Sequence, residues 1–164
     1  MILYIVRHSD AVPSGTPGVS EDQRPLTDKG IRKMREVARG LRLIGVQPEL
    51  IFTSPLPRAR QTADIVAEET GGLVEVAECL APAGSRPELY RELRAHRKQE
   101  SLMIVGHQPS LGEIAGEIAW GSPDHCLEIK KGGACALELT KLDPAPTGTL
   151  LWLVTPALLR RVES

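Results

Sequence analysis

The sequence lacks the charge excess that would favour binding to nucleic acid or to an anionic membrane surface. Lysine and arginine together number 20 and aspartate and glutamate 21, so the formal net charge of the 164-residue chain is -1 at pH 7. A chain with this balance has no global electrostatic field that attracts polyanions. We therefore expect no nucleic-acid partner, and any anion site must be local.

Cysteine is scarce, and its spacing is not that of a metal site. The three cysteines are Cys79, Cys126 and Cys135, an odd number without Cys-x-x-Cys spacing. This pattern argues against a disulfide framework and against a zinc site. It favours a reduced, cytoplasmic location, and we expect neither a metal nor another cofactor.

Long hydrophobic runs are also missing. The apolar start has no basic leading segment and turns polar at Arg7, and no later run approaches the roughly 20 apolar residues that span a bilayer. Internal repeats and low-complexity tracts are absent too. With 41% hydrophobic residues the chain is long enough for one core, so we predict a single domain over residues 1–164, without a membrane segment.

The apolar pattern predicts strands that alternate with helices and then a terminal hairpin. Thr27 is expected to cap the first helix, and Gly45 to end it. Such an order is typical of a three-layer α/β/α fold with a mixed, mostly parallel central sheet. We predict strands at 2–6, 50–52, 73–77, 102–105, 134–142 and 149–155, helices at 28–44, 56–70, 88–98 and 110–120, loops at 9–26 and 81–87, and a loosely held tail at 156–164.

Three predicted strands each end in a side chain suited to binding phosphate. Arg7 and His8 follow the first strand, Arg58 follows the second just past Ser54 at a helix start, and His107 follows the strand that ends at Val105 and Gly106. Open α/β sheets place ligands at the carboxyl ends of their strands. The sequence therefore predicts an anion site that combines imidazoles and guanidinium groups.

These motifs identify a family resemblance that spans nearly the whole chain. Arg7-His8-Ser9 is similar to the Arg-His-Gly signature of the histidine phosphatase superfamily (phosphoglycerate mutase-like, branch 1), with serine in the third place. The block Ser54-Pro-Leu-Pro-Arg-Ala-Arg-Gln-Thr62 is similar to its Ser-Pro-x-x-Arg-Ala-x-Gln-Thr motif, and Gly106-His107 to its second histidine motif. The short length and the stretch Arg24-Pro-Leu-Thr27 most resemble the SixA-type phosphohistidine phosphatases.

The resemblance implies a role for each candidate residue. His8 would be the nucleophile that forms a covalent phosphohistidine, while Arg7, Arg58 and His107 would bind the phosphoryl group, with Arg24 as a further contact. The nearby arginine cations should lower the pKa of His8 and keep its imidazole neutral. Arg24 has a second interpretation, because it can instead pair with Glu21 or Asp22 on its own loop.

The proton donor departs from the larger family, whose mutases carry a glutamate on a substrate-covering segment. Glu78 and Asp10 are the candidate acids here. An alkoxide leaving group needs a proton, whereas an imidazole protonated on its second nitrogen leaves as a neutral molecule. The sequence thus favours a metal-independent phosphatase that dephosphorylates a phosphohistidine-bearing protein, such as a phosphotransfer domain, in signal transduction.

Two alternatives remain open at this point. The chain could be a phosphomonoesterase or mutase that acts on a small sugar or carboxylate phosphate. It could also be a low-turnover module that binds phosphoproteins, an interpretation that Ser9 and the unclear acid motivate. The sequence makes no prediction of oligomeric state.

Overall fold

A six-stranded mixed sheet forms the centre of the protein, in the strand order β3-β2-β4-β1-β5-β6. The structure is a computed structural model that describes residues 1–162. Neighbouring strands among β1 to β4 pair in parallel, and β5 and β6 add to the β1 edge as antiparallel strands. The strands are β1 (Ile2–Arg7), β2 (Leu50–Thr53), β3 (Leu73–Val76), β4 (Ser101–Gly106), β5 (Ala134–Lys141) and β6 (Thr147–Val154).

Helices cover both faces of the sheet, and the sheet separates the core into two hydrophobic clusters. On one face α3 and α4 contribute Leu89 and Leu111, and on the other α1, α2 and α5 contribute Met34, Val66 and Leu159. This arrangement confirms the predicted three-layer α/β/α class with a mixed, mostly parallel sheet. The helices are α1 (Asp28–Leu43), α2 (Pro57–Thr70), α3 (Arg86–Ala95), α4 (Ser110–Trp120) and α5 (Pro156–Leu159).

Local sequence signals set several of these boundaries. The Thr27 side chain accepts a hydrogen bond from the amide of Gly30, as a helix cap does, and α1 begins at the next residue. Gly45, with a φ of +87°, follows the helix in the left-handed region that glycine tolerates. The predicted start of α1 is therefore confirmed, and the helix ends at Leu43, one residue before the predicted end at Ile44.

The prediction for α3 was wrong at both ends. The helix begins at Arg86 and not at Glu88, because the Ser85 side chain caps it by accepting from the Glu88 amide. Proline is compatible with a first helical turn, so Pro87 belongs to the helix and not to the preceding loop. At its other end the helix stops at Ala95, short of the predicted Lys98.

The prediction of a loosely held tail was also wrong for the residues that the structure describes. Residues 156–159 form α5, which Thr155 caps, and the Leu159 side chain is fully buried against α1. A Cβ atom added at Gly40 of α1 would lie only 2.2 Å from the Leu159 carbonyl oxygen. The missing side chain at Gly40 thus permits this close approach, and residues 163 and 164 lie outside the described residues.

A pair of leucine substitutions tests the packing of α5. We expect Leu159→Ala to lower the free energy of unfolding by about 2–4 kcal/mol, because it empties a fully buried position. Leu158→Ala, at a neighbouring residue that is 56% exposed, should change it by less than about 0.5 kcal/mol. Urea denaturation of both variants measures the difference, and equal effects would contradict the described packing.

Candidate active site

Two histidines lie side by side where the central strands β1 and β4 end. The parallel register aligns Arg7 with Gly106, and the His8 amide donates to the Gly106 carbonyl oxygen over 3.1 Å. His107 directly follows the last residue of β4, and its ring centroid lies 5.2 Å from that of His8. Strand pairing therefore brings together two imidazoles that are 99 residues apart in the sequence.

The third strand, β2, adds a serine and an arginine to the same edge of the sheet. Ser54 follows β2 directly, and its Oγ lies 2.8 Å from His107 Nε2. Arg58 lies in the first turn of α2 and is only 4% exposed. Its Nη1 donates to the main-chain carbonyl of Glu21 over 3.0 Å, which connects α2 to the loop that precedes α1.

These side chains line a cavity of about 340 Å³ at the carboxyl end of the parallel strands. The cavity includes five residues singled out from the sequence: Arg7, His8, Arg24, Arg58 and His107.

Five further residues of the cavity wall were missed by the sequence analysis as site residues: Glu21, Asp22, Pro82, Gln108 and Lys131. Gln108 could have been inferred from its position beside His107, and Glu21 and Asp22 from their closeness to Arg24. Lys131 carries no such signal.

The two candidate acids lie elsewhere. Asp10 forms an ion pair with Lys33 of α1, with Oδ2 and Nζ 3.0 Å apart, and is not part of the cavity wall. Glu78 lines a separate cavity between β3 and α3. Neither carboxyl group is therefore placed beside the imidazole of His8.

A main-chain hydrogen bond fixes the tautomer of His8. Its Nδ1 lies 2.7 Å from the Ser9 carbonyl oxygen, which can only accept a hydrogen bond. Nδ1 therefore carries the hydrogen of the neutral ring, and Nε2 keeps its lone pair. An unprotonated Nε2 is the form of imidazole that can attack phosphorus.

The surroundings of His8 also favour the neutral ring. Burial lowers the pKa of His8 to about 4, and the cations Arg58, Arg7 and Lys131 add to the shift against the opposing effect of the Ser9 carbonyl. The direction agrees with the sequence prediction. The larger cause is desolvation, however, and not the arginines on which that prediction relied.

His107 presents one nitrogen without a partner. Burial, followed by the neighbouring His8 and Arg58, lowers the pKa of His107 to about 3. Ser54 Oγ already accepts from the Leu56 amide, so its hydroxyl hydrogen is available to His107 Nε2. With the Ser54 hydroxyl as the donor, the ring hydrogen of neutral His107 is on Nδ1, which is buried and has no hydrogen-bond partner within residues 1–162. In that tautomer Nδ1 can donate to a ligand.

The arginines of the cavity are anchored through some of their donors and leave others unused. Arg7 Nη1 donates to the Ile129 carbonyl over 2.9 Å, and Arg58 Nη1 to that of Glu21. The Nε groups of Arg7, Arg24 and Arg58 are buried without a partner in the described part of the chain. Buried donors are normally satisfied, so this cluster is suited to a bound anion.

Ser9 anchors the loop that carries His8. It is fully buried, its Oγ donates to the Gly30 carbonyl over 2.9 Å, and its amide donates to Thr62 Oγ1 over 3.1 Å. The same Thr62 hydroxyl donates to the Arg58 carbonyl in α2. Serine in the third position of the signature thus joins α1 and α2 to the histidine loop.

Two searches of the described residues bear on other kinds of site. Within residues 1–162 no group of three or more histidine, cysteine, aspartate or glutamate side chains is arranged to hold a metal ion. In the same range no helix is both long and apolar enough to cross a bilayer.

Comparison with protein families and known sequences gives consistent matches. The family model described as histidine phosphatase superfamily (branch 1) matches residues 3–83. An uncharacterized protein of Picosynechococcus is 42% identical over 141 residues, which cover 84% of this chain and 85% of that protein. The phosphohistidine phosphatase SixA of Escherichia coli is 26% identical over 168 residues, covering 100% of this chain and 99% of SixA.

Solved structures share the fold. The protein histidine phosphatase SixA in complex with tungstate superimposes with a TM-score of 0.84 at 26% identity, over 97% of this chain and 99% of that one. A putative α-ribazole-5'-P phosphatase from Escherichia coli gives a TM-score of 0.76 at 16% identity, covering 95% and 97% of the two chains. At the lower identity the similarity shows a common fold only.

The protonation of His8 can be tested by NMR. We expect its ring to carry hydrogen on Nδ1 and to remain neutral from about pH 8 down to about pH 5, because protonation of Nε2 requires the pH to fall towards the lowered pKa. A ¹⁵N-resolved imidazole spectrum reports both properties, and the spectrum of His8→Ala identifies the signals. Protonation of His8 near pH 6.5, the value of free histidine, would contradict this environment.

Proposed function

The chain belongs to the histidine phosphatase superfamily (branch 1), and from this premise we propose that it is a phosphohistidine phosphatase acting on a phosphorylated protein. The proposed reaction passes through a covalent phosphohistidine at His8 and uses no metal ion. The observation that carries the proposal is the unprotonated Nε2 of His8, which lines a cavity together with buried, unpartnered guanidinium donors.

In the first step, His8 Nε2 attacks phosphorus while the bond to the leaving group breaks. Beyond this nucleophilic attack, catalysis of phosphoryl transfer depends on positioning and on stabilising the negative charge of the three equatorial oxygens. Arg7 and Arg58 supply charged donors for these oxygens, and His107 supplies its Nδ1 hydrogen. In the second step, water attacks phosphorus and the bond to His8 Nε2 breaks, which releases inorganic phosphate and restores the neutral imidazole.

The choice of a nitrogen leaving group is supported by the ionisation of Glu21 in the cavity wall. Hydrogen bonds from Arg24 and Ser14 lower the pKa of Glu21 to about 2, so Glu21 carries no proton to donate near neutral pH. Asp10 and Glu78 lie outside the cavity wall. An alkoxide would therefore leave without assistance from these groups, whereas an imidazole with a proton on its other nitrogen needs none.

The size of the cavity supports a side chain as the phosphoryl carrier. Its volume of about 340 Å³ lies near the lower end of the roughly 300–1,000 Å³ typical of small-molecule sites. A phosphorylated imidazole requires little room beyond the phosphoryl group itself. Together with the similarity to SixA, described as a phosphohistidine phosphatase, this favours a protein-borne phosphohistidine as the substrate.

A trapping experiment tests the covalent intermediate. Mixing the protein with a phosphotransfer domain that carries ³²P on histidine, followed by rapid quenching, should leave a label on the protein that is stable in base and labile in acid. The label should be absent from His8→Ala, because that variant lacks the attacking nitrogen.

The same experiment separates the alternative functions. A phosphorylated sugar offered at equal concentration should label the wild-type protein much more slowly. Faster labelling from the sugar would instead identify a phosphomonoesterase or mutase. Binding of the phosphorylated domain without any label at His8 would identify a low-turnover binding module.

Two arginines of α2 provide a matched test of phosphoryl binding. Arg58→Ala should lower kcat/KM for phosphoramidate by about 100- to 1,000-fold, in the range typical for loss of one charged donor to a transition state. Arg60→Ala should have little effect, since Arg60 pairs with Asp64 on the exposed face of the same helix. Steady-state kinetics of both variants give the comparison, and equal losses would contradict a specific role for Arg58.

A further inference from the structure

The loop that precedes α1 places the carboxylate of Glu21 in the wall of the cavity that holds His8. The proposed mechanism assigns no role to this carboxylate. Glu21 lines the cavity, and its Oε1 lies 2.5 Å from Arg24 Nη2. Its Oε2 accepts from Ser14 Oγ over 2.6 Å. The main-chain carbonyl of Glu21 accepts from Arg58 Nη1, so the carboxylate is held beside two of the cavity's cations.

The position of Glu21 changes what Arg24 can offer to a ligand. Arg24 Nη1 donates to the Val12 carbonyl over 2.9 Å, and Nη2 donates to Glu21. Arg24 therefore directs donors from both ends of its planar fork to its own loop. The two terminal nitrogens that would grip a substrate carboxylate in a bidentate manner are therefore already engaged, one by the Val12 carbonyl and the other by the Glu21 carboxylate.

The net positive charge of the cavity wall is equal in size and opposite in sign to the charge of a single phosphoryl dianion. Both imidazoles are neutral near pH 7, because burial lowers the pKa of each. Four cations and two carboxylates then leave a balance of two positive charges, which matches one phosphoryl dianion and no further anion. The cations are Arg7, Arg24, Arg58 and Lys131, and the carboxylates are Glu21 and Asp22.

We propose that Glu21 is a specificity-determining residue that occupies Arg24 and disfavours any substrate carrying a second anionic group beside its phosphoryl group. The cavity then selects a phosphoryl group on an uncharged or cationic leaving group, such as an imidazole, over phosphorylated carboxylates. The inference rests on the proposed function in one respect, namely that this cavity binds the phosphoryl group.

The expected size of the effect follows from electrostatics. A carboxylate about 6 Å from a second anion, in surroundings between those of water and a protein surface, weakens binding about three- to tenfold. Glu21 is ionised near neutral pH, because hydrogen bonds from Arg24 and Ser14 keep its pKa far below neutrality.

A matched pair of ligands tests the proposal. O-phosphoserine and O-phosphoethanolamine share a phosphoryl group and an ammonium group and differ by one carboxylate. We expect the His8→Ala protein, in which turnover is blocked, to bind phosphoethanolamine more tightly than phosphoserine by calorimetry. Adding Glu21→Gln should reduce that preference about three- to tenfold.

The ratio of the two dissociation constants on one protein is insensitive to the fraction that is folded. Asp64→Asn in the same background is the control, because Asp64 is exposed on α2, pairs with Arg60 and does not line the cavity. It should leave the ratio unchanged. The proposal is overturned if Glu21→Gln also leaves the ratio unchanged, or if Asp64→Asn shifts it equally.

The outcomes separate this inference from the proposed function. If both ligands bind and only the ratio fails to respond to Glu21→Gln, the role of Glu21 is wrong while the phosphatase remains. If the ratio responds but no label is trapped on His8, the cavity selects its anions as inferred and the proposed reaction is wrong. If neither ligand binds, the inferred role of Glu21 in selecting ligands is wrong, and trapping of the label at His8 still decides the proposed reaction.

Discussion

The parallel pairing of β1 with β4 is the constraint on which the rest of the site depends. Both strands lie inside the sheet, and β4 is buried along its whole length. A shift of one residue in this register would turn buried side chains towards the opposite face of the sheet, so the hydrophobic core fixes it. Because Arg7 is aligned with Gly106, the two histidines that follow leave the sheet at the same level. The core thus sets the distance between the two imidazoles.

The cost of the site is the burial of polar groups that have no partner within the protein. The guanidinium group of Arg58 is almost entirely enclosed, and burial lowers its pKa, which indicates that the cation is less well solvated than in water. Main-chain carbonyls stabilise part of each guanidinium group, while the buried Nε atoms remain unsatisfied within residues 1–162. Groups prepared in this way need little reorganisation when an anion enters, which is the physical basis of electrostatic preorganisation.

The loop at residues 130–133 also helps to build the cavity, because it bonds to the end of β1. The Gly132 amide lies 3.1 Å from the carbonyl oxygens of both Arg7 and His8, at a backbone φ of +74°. A residue with a side chain rarely adopts that conformation. Glycine here allows the loop to bond to the end of β1, and this contact also brings Lys131 to the cavity.

Local patterns predicted the elements and the residues attached directly to strand ends. Buried strands lead directly to Arg7, His8 and His107, and Arg58 lies in the first turn of the helix that follows β2. The convergence of these side chains therefore follows from strand order and direction. Pairing of Arg24 with Glu21 was one of the two interpretations that the sequence left open for Arg24, and the structure shows that ion pair. The place of Lys131 depends on how a long loop folds back over the sheet, which no short periodicity records. The prediction of a loosely held tail was wrong, in the residues that the structure describes, for a similar reason. Leu159 packs against α1, which lies more than 100 residues earlier in the sequence, and no local pattern shows such a contact.

The proposed reaction gives the neutrality of His8 a thermodynamic meaning. Transfer from a substrate histidine to His8 breaks one phosphorus–nitrogen bond and forms another of the same kind, so bond strength does not favour either direction. What differs is the environment, since burial keeps the free ring of His8 neutral and therefore nucleophilic, whereas a histidine on a solvated surface is protonated more readily. The lone pair of His8 Nε2 forms the new bond to phosphorus, and the substrate ring leaves as a neutral imidazole that keeps the proton on its other nitrogen. Hydrolysis of the intermediate then makes the sequence irreversible, because water and not a second imidazole accepts the phosphoryl group.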